Sequence, residues 1–144
     1  MNADDAAAPD HARRSSPETL RLRRVTPSLT VDDVGRSLDF YRDVMGFVVD
    51  EIWEHEGQRV GAALVAGSVT LLLSKDDGKA GADRVKGQGF RLHLSTAQDI
   101  DRLASNVESR GGKIDEGPTD MPWGARAFTV VDPDGFKLTV AADS

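Results

Sequence analysis

A chain of 144 residues is long enough for one domain with a real hydrophobic core and too short for two independent ones. With 39% hydrophobic and 29% charged residues it has the balance of a soluble globular protein, and its longest apolar runs, "AALVA" and "TLLL", fall far short of a bilayer span. A net charge of -6 with scattered Lys and Arg speaks against nucleic acid as a partner, and the absence of cysteine removes disulfides, thiolate nucleophiles and cysteine metal sites.

The acid is unevenly spread. Up to Arg24, five arginines stand against four carboxylates, so the negative excess belongs to the rest of the chain. Such a body favours a neutral or cationic ligand.

Residues 1–22 are rich in Ala, Asp, Ser, Pro and Arg and lack an apolar period, which predicts a disordered extension. No apolar segment follows a basic start, so a cytoplasmic location is expected. A single domain then runs over 23–144. "VTPSLTV" (25–31) alternates like a half-buried strand, with Val25, Pro27, Leu29 and Val31 on one face and Thr26, Ser28 and Thr30 on the other. "DDVGRSLDFYRDVMG" opens on a capping Asp, closes at Gly46 and places Val34, Leu38, Tyr41 and Met45 at helical spacing, making Tyr41 a core residue. "FVVDEIWE", "RVGAALVAG" and "SVTLLLS" read as three strands, completing a first βαβββ unit over 23–80. The Gly, Lys and Asp of "SKDDGKAGADRVKGQG" (74–89) indicate a mobile connection.

A second unit (88–142) repeats the order. "FRLHLST" is a strand, "AQDIDRLASNVESRGG" a helix capped at Asp99, "KIDEG" a short strand, and "ARAFTVVDPDGFKLTV" a hairpin turning at "DPDG". Shifting the first unit by 66 places Asp33 on Asp99, Val34 on Ile100, Gly46 on Gly112 and Val48 on Ile114. The expected class is α+β, two curved mixed sheets around a concave cavity. Each sheet has one face under its helix, so the other must be covered by a ligand, the other unit or a second chain.

"TVDDVGRSLDFYRDVMGF" (30–47), "DIDRLASNVESRGGKI" (99–114) and "PWGARAFTVVDPDGFKLTV" (122–140), in paired units, resemble the vicinal oxygen chelate superfamily, which holds glyoxalase I, extradiol dioxygenases, fosfomycin-modifying enzymes and bleomycin resistance proteins. The resemblance implies a cavity where metal-dependent members hold a divalent ion with side chains from the first and last strand of each unit. Those slots fall here at Thr26, at Leu71 or Leu72, at Leu92 by the 66-residue shift, and at Thr139, none a good ligand for a transition metal. His93 stands next to a slot, and a one-residue bulge would turn it inward. The stripe Phe90, Leu92 and Leu94 likewise leaves Arg91, His93 and Ser95 for the cavity. "EHE" at 54–56 is a weak metal candidate, since consecutive strand residues point to different sides.

The leading reading is thus a metal-independent binder that sequesters a bleomycin-like or other aromatic, cationic compound, as the resemblance to the bleomycin-resistance branch implies. Thr26, Ser28, Trp53, Arg91, His93, Trp123, Arg126 and Thr139 are its candidate ligand-binding residues. No cofactor is expected, although a divalent metal stays open, and no membrane or nucleic-acid partner is expected. A homodimer is, since paired units close a cavity within the chain or across a two-fold axis. Two alternatives stand beside it. One is a glyoxalase-like or dioxygenase-like enzyme, a lyase, isomerase or oxygenase, either with a divergent metal site that uses His93 or free of metal, with His93 as base and Arg91 or Arg126 holding a carboxylate or enolate. The other is a structural or regulatory dimer whose concave face is filled by Leu71, Leu72, Leu92 and Phe128.

Overall fold

A computed structural model describes residues 20–143, so nearly all of the expected extension lies outside the described residues. The first unit runs β1 (Ser28–Val31), α1 (Val34–Leu38) continued by a π-helical segment (Asp39–Met45), β2 (Val48–His55), β3 (Gln58–Ala66) and β4 (Val69–Lys75). The second runs β5 (Arg91–Thr96), α2 (Ile100–Ser109), β6 (Ile114–Asp120), β7 (Arg126–Val131) and β8 (Lys137–Ala142). Each unit makes a four-stranded mixed sheet, ordered β1-β4-β3-β2 and β5-β8-β7-β6, with β1 parallel to β4 and β5 parallel to β8. The fold is α+β with two helices and no closed barrel, as the repeat predicts.

The internal repeat holds at the caps and slips elsewhere. Asp33 and Asp99, 66 residues apart, each accept the amide of the Arg three residues on, both at 3.1 Å. The first helix, however, reaches its left-handed glycine at Gly46, whereas the second reaches its own at Gly111, not Gly112. One extra residue must fit into the first helix, and widening its second half to π-winding accommodates it. A second slip lies between strand and cap, where Asp32 alone separates Val31 from Asp33 but Ala97 and Gln98 separate Thr96 from Asp99. The strands start later than the alternation suggests. Val25 is exposed, and β1 begins at Ser28 because Pro27 can lend only its carbonyl, which accepts from Leu72 at 2.9 Å.

A single core joins the units. Leu29, Val31, Leu64, Leu71 and Leu73 of one sheet meet Phe128, Val130, Leu138 and Val140 of the other around Val34, Leu38, Tyr41, Ile100, Ala104 and Val107. The helix-facing sides of both sheets are therefore spent on this core, and the opposite sides are left to other uses. Where the helices meet the following chain, a Cβ on Gly112 would stand 2.4 Å from Val107 Cγ1 and 2.6 Å from Val44 Cγ1, so only glycine fits.

Polar side chains bolt the units together. Tyr41 donates its hydroxyl to Asp132 Oδ2 at 2.7 Å, while Asp132 Oδ1 accepts the amides of Asp134 and Phe136 at 2.9 and 2.8 Å. Burial raises the pKa of both Tyr41 and Asp132, with the three donors opposing the rise at Asp132. The connection 74–89 is not the loose segment its composition suggests. Lys86, its side chain 4% exposed, sits against Asp32, with Asp76 at 3.2 Å and Asp134 at 3.4 Å. Burial works against its charge, yet the three carboxylates outweigh that and raise its pKa.

Tyr41→Phe leaves a buried carboxylate oxygen without its donor and should lower stability by about 1.5–3 kcal/mol in urea unfolding. Because burial lifts the Asp132 pKa, the folded state holds its proton to higher pH than the unfolded chain. This group's contribution to stability therefore falls as pH rises through the carboxylate range.

Candidate functional site: the open face of the second sheet

The pleat of β5 and β8 decides which side chains reach the open face. Leu92 and Leu94 pack onto the core with Leu138 and Val140, so their alternates Arg91, His93 and Ser95, with Lys137, Thr139 and Ala141, point away from α2. The parallel register is unbroken, Arg91 facing Lys137, His93 facing Thr139 and Ser95 facing Ala141. No bulge is needed to turn His93 outward. Next to β8, Ala127 and Thr129 of β7 continue the same face.

The floor of this face is built of small and hydroxyl side chains. Thr139 and Thr129 share a hydrogen bond of 2.8 Å and are fully buried, and Arg91 Nη1 donates to Thr139 Oγ1 at 3.3 Å. Met121, Ala127 and Ala141 form a small apolar cluster at the other end. Over the floor stand His93 and Trp123, ring centroids 5.9 Å apart and steeply inclined.

The "PWG" stretch has a local cause. Gly124 donates to Met121 O at 2.8 Å and Met121 to Ala125 O at 2.8 Å, closing a three-residue hairpin loop with Pro122 first and Gly124 left-handed at φ 99°. The "DPDG" turn repeats this pattern, Gly135 to Asp132 O at 3.0 Å and Asp132 to Phe136 O at 2.9 Å. Both are proline-x-glycine loops. In one the middle residue is Asp134, its side chain fully buried against Lys86; in the other it is Trp123, 57% exposed.

The first sheet has its own open face. Ser28 lies beside Leu72, Ala63 and Glu51, and Thr30 beside Ser74, Gly61 and Trp53. Trp53 lies against Gly61, where a Cβ would stand 3.2 Å from its ring. Two expected residues are elsewhere. Thr26 precedes β1, half-buried, and Arg126 sits on the helix side of its sheet, tied to Asp101 at 2.8 and 2.9 Å and to Asp120 at 3.2 Å. The Arg126 guanidinium holds Asp101 below the usual carboxylate range. A cleft of 590 Å³ also opens on the helix side, lined by Phe47, Val69, Leu103, Val107 and Arg110 among others, and contains none of the eight candidate residues.

The strand ends set a register between the two units that a 66-residue shift misses. Val31 and Thr96 are equivalent strand ends, since each carbonyl accepts the amide just past the parallel neighbour, from Asp76 and Asp143, both at 2.8 Å. Three residues back stand Ser28 and His93, which face Leu72 and Thr139. On that register the open-face quartet is Ser28, Leu72, His93 and Thr139; Thr26 pairs with Arg91 rather than Leu92 because the second strand-to-cap loop is one residue longer, and Thr26 itself lies ahead of β1. One imidazole, two hydroxyls and a leucine do not fit a divalent transition ion, which takes three or four nitrogen, oxygen or sulfur ligands. Among the described residues no group of three His, Cys, Asp or Glu is placed to hold a metal. No helix among them is long and apolar enough to cross a membrane.

Over this geometry, the sequence pattern of the Glyoxalase/Bleomycin resistance protein/Dioxygenase superfamily matches residues 21–140, and the chain belongs to that family. A glyoxalase/bleomycin resistance protein/dioxygenase from Nocardioides superposes with a TM-score of 0.70 at 21% identity, covering 94% of this chain and 93% of the other. TnmS3, an antibiotic binding protein from Streptomyces sp. CB03234, superposes at 0.69 with 23% identity over 87% of this chain and 99% of its own. In sequence, the lactoylglutathione lyase GLX1 of Arabidopsis thaliana is 25% identical over 75% of this chain, which spans only 40% of that relative's length.

Metal addition tests the quartet. Zinc, nickel, manganese or iron(II) should leave the melting midpoint of untagged protein where it was, and His93→Ala should not change that response.

Proposed function

We propose that this chain is a small-molecule-binding protein that holds a planar aromatic compound on the open face of its second sheet, by a mechanism that does not pass through a metal. The observation that carries this reading is the content of that face. At the positions that answer to metal slots it holds His93 and Thr139, as the first sheet holds Ser28 and Leu72, and beside His93 it displays Trp123 over a floor of Thr129, Thr139, Ala127 and Ala141. Exposed indole, imidazole and guanidinium groups suit stacking and orientation.

The likeness to an antibiotic binding protein supports the fold's suitability for such a ligand. A metal-dependent lyase or oxygenase finds no support in the donor set, whatever the name of the plant relative. The ligand-free reading places Leu71, Leu92 and Phe128 on the concave face, yet all three belong to the core on the other side. Only Leu72 of that group faces outward. We further infer a homodimer, in which a second copy covers faces that one chain leaves open, as sedimentation velocity would test.

Ligand binding should quench tryptophan emission. Trp123→Ala should weaken affinity for a bound aromatic about three- to tenfold, from the stacking contribution alone. Trp123→Phe should keep most of it. An unchanged affinity in Trp123→Ala would move the site elsewhere.

A further inference from the structure

The charge of the whole chain and the charge of its candidate site point in opposite directions. A net charge of -6 favours a cation, but the open face of the second sheet presents Arg91, Lys137 and His93 in one patch. Arg91 has no carboxylate partner among the described residues; its bond is to the hydroxyl of Thr139, at 3.3 Å. Lys137 is shared with Asp115 at 3.3 Å. Glu116, facing Thr129 from β6, stands three strands from Arg91, roughly 14 Å at the usual interstrand spacing and beyond effective reach at ordinary salt. The local field at Arg91 is therefore that of an unneutralised guanidinium.

We propose that the ligand is a planar aromatic anion, a carboxylate or sulfonate, with its acidic group on Arg91 and its rings laid along His93 onto the exposed Trp123. The inference rests on the binding reading given above and names the class of compound. Spacing supports it. Arg91 and His93 are one pleat repeat apart, about 6.6 Å, and Trp123 lies 5.9 Å from His93. Trp123 belongs to the Ser95 end of the face, because its loop begins at Met121, which packs on Ala127 and Ala141, the latter facing Ser95. Arg91, His93 and Trp123 thus run in order along the face, matching a fused two-ring system with one acidic substituent.

The floor contributes as well. Thr139 and Thr129 occupy each other's hydroxyls, so Arg91 can turn from Thr139 to a carboxylate without orphaning a buried group. The incoming bond is bidentate and charge-assisted, where the outgoing one is single and long. Beside it, Arg91 and Lys137 border a hollow of 440 Å³ whose other wall is the glycine-rich backbone Gly87–Gly89, with room for the acidic group.

The test uses three probes of one shape, 2-naphthoate, 2-naphthamide and 2-naphthylmethylammonium, titrated against the full chain and against Arg91→Gln by isothermal calorimetry. The naphthoate should bind about tenfold or more tighter than the amide and tighter still than the ammonium, with a preference that shrinks as salt rises. Arg91→Gln should erase most of that preference, lowering naphthoate affinity about tenfold and amide affinity by less, and Arg91→Lys should restore part of it. Equal or tighter binding of the ammonium, or a naphthoate preference that survives in Arg91→Gln, overturns the anion assignment and leaves the aromatic binder standing. If none of the three binds, the binding reading falls and the assignment with it.

Discussion

Alternation along two parallel strands organises everything that bears on function here. Leu92, Leu94, Leu138 and Val140 are drawn under α2 by the hydrophobic effect, and a strand that buries every second residue has no choice about the others. Arg91, His93 and Thr139 are on the open face because their neighbours are in the core. A shift of one residue in either strand would exchange the two sets and put a guanidinium and an imidazole into an apolar interior, at a prohibitive desolvation cost. The register that builds the core is the register that builds the site.

That register is held from outside by polar contacts between the units. Lys86 gathers Asp32, Asp76 and Asp134 from three segments, and Tyr41 reaches Asp132 at the base of the same turn. Lys86 and Asp134 are buried, multiply bonded charges, of the kind that destabilise severely when one partner is removed even if the whole set adds little. They fix the "DPDG" hairpin, which aligns β7 with β8, and so fix Thr129 against Thr139. The "PWG" hairpin uses the same loop geometry for another end, since its middle residue, Trp123, meets His93 and is left half exposed over the sheet.

Much of this was legible in the sequence. Capping Asp33 and Asp99, the apolar stripe of the first helix, the "DPDG" turn and the paired unit order all announce themselves through local chemistry that tertiary context had no reason to override. The alternation of Phe90, Leu92 and Leu94 also put Arg91 and His93 on the open side. What failed was counting across loops. A uniform 66-residue shift sent Thr26 to Leu92 rather than Arg91 because the extra residue before Asp99 leaves no mark in composition. Arg126 was misplaced for a different reason: it begins its strand on the face of α2, where Asp101 awaits it, and one residue beside a turn gives no period from which to read a face. Net charge averages over the surface, whereas recognition is decided within about one Debye length, roughly 8 Å, so the acidic body and the local surroundings of Arg91 carry different expectations for a ligand.

The most direct measurement is a ¹H–¹⁵N correlation titration of the assigned protein with 2-naphthoate. Perturbations should concentrate on the amides of Arg91–Ser95, Thr129, Lys137–Ala141 and Trp123 together with the Trp123 indole, and spare both Trp53 and the helix-side cleft around Leu103 and Arg110. Perturbations centred on Glu51, Trp53 and Ser74, or on Met45, Leu103 and Val107, would contradict this assignment, because the open face of the second sheet would then not be where this chain meets its ligand.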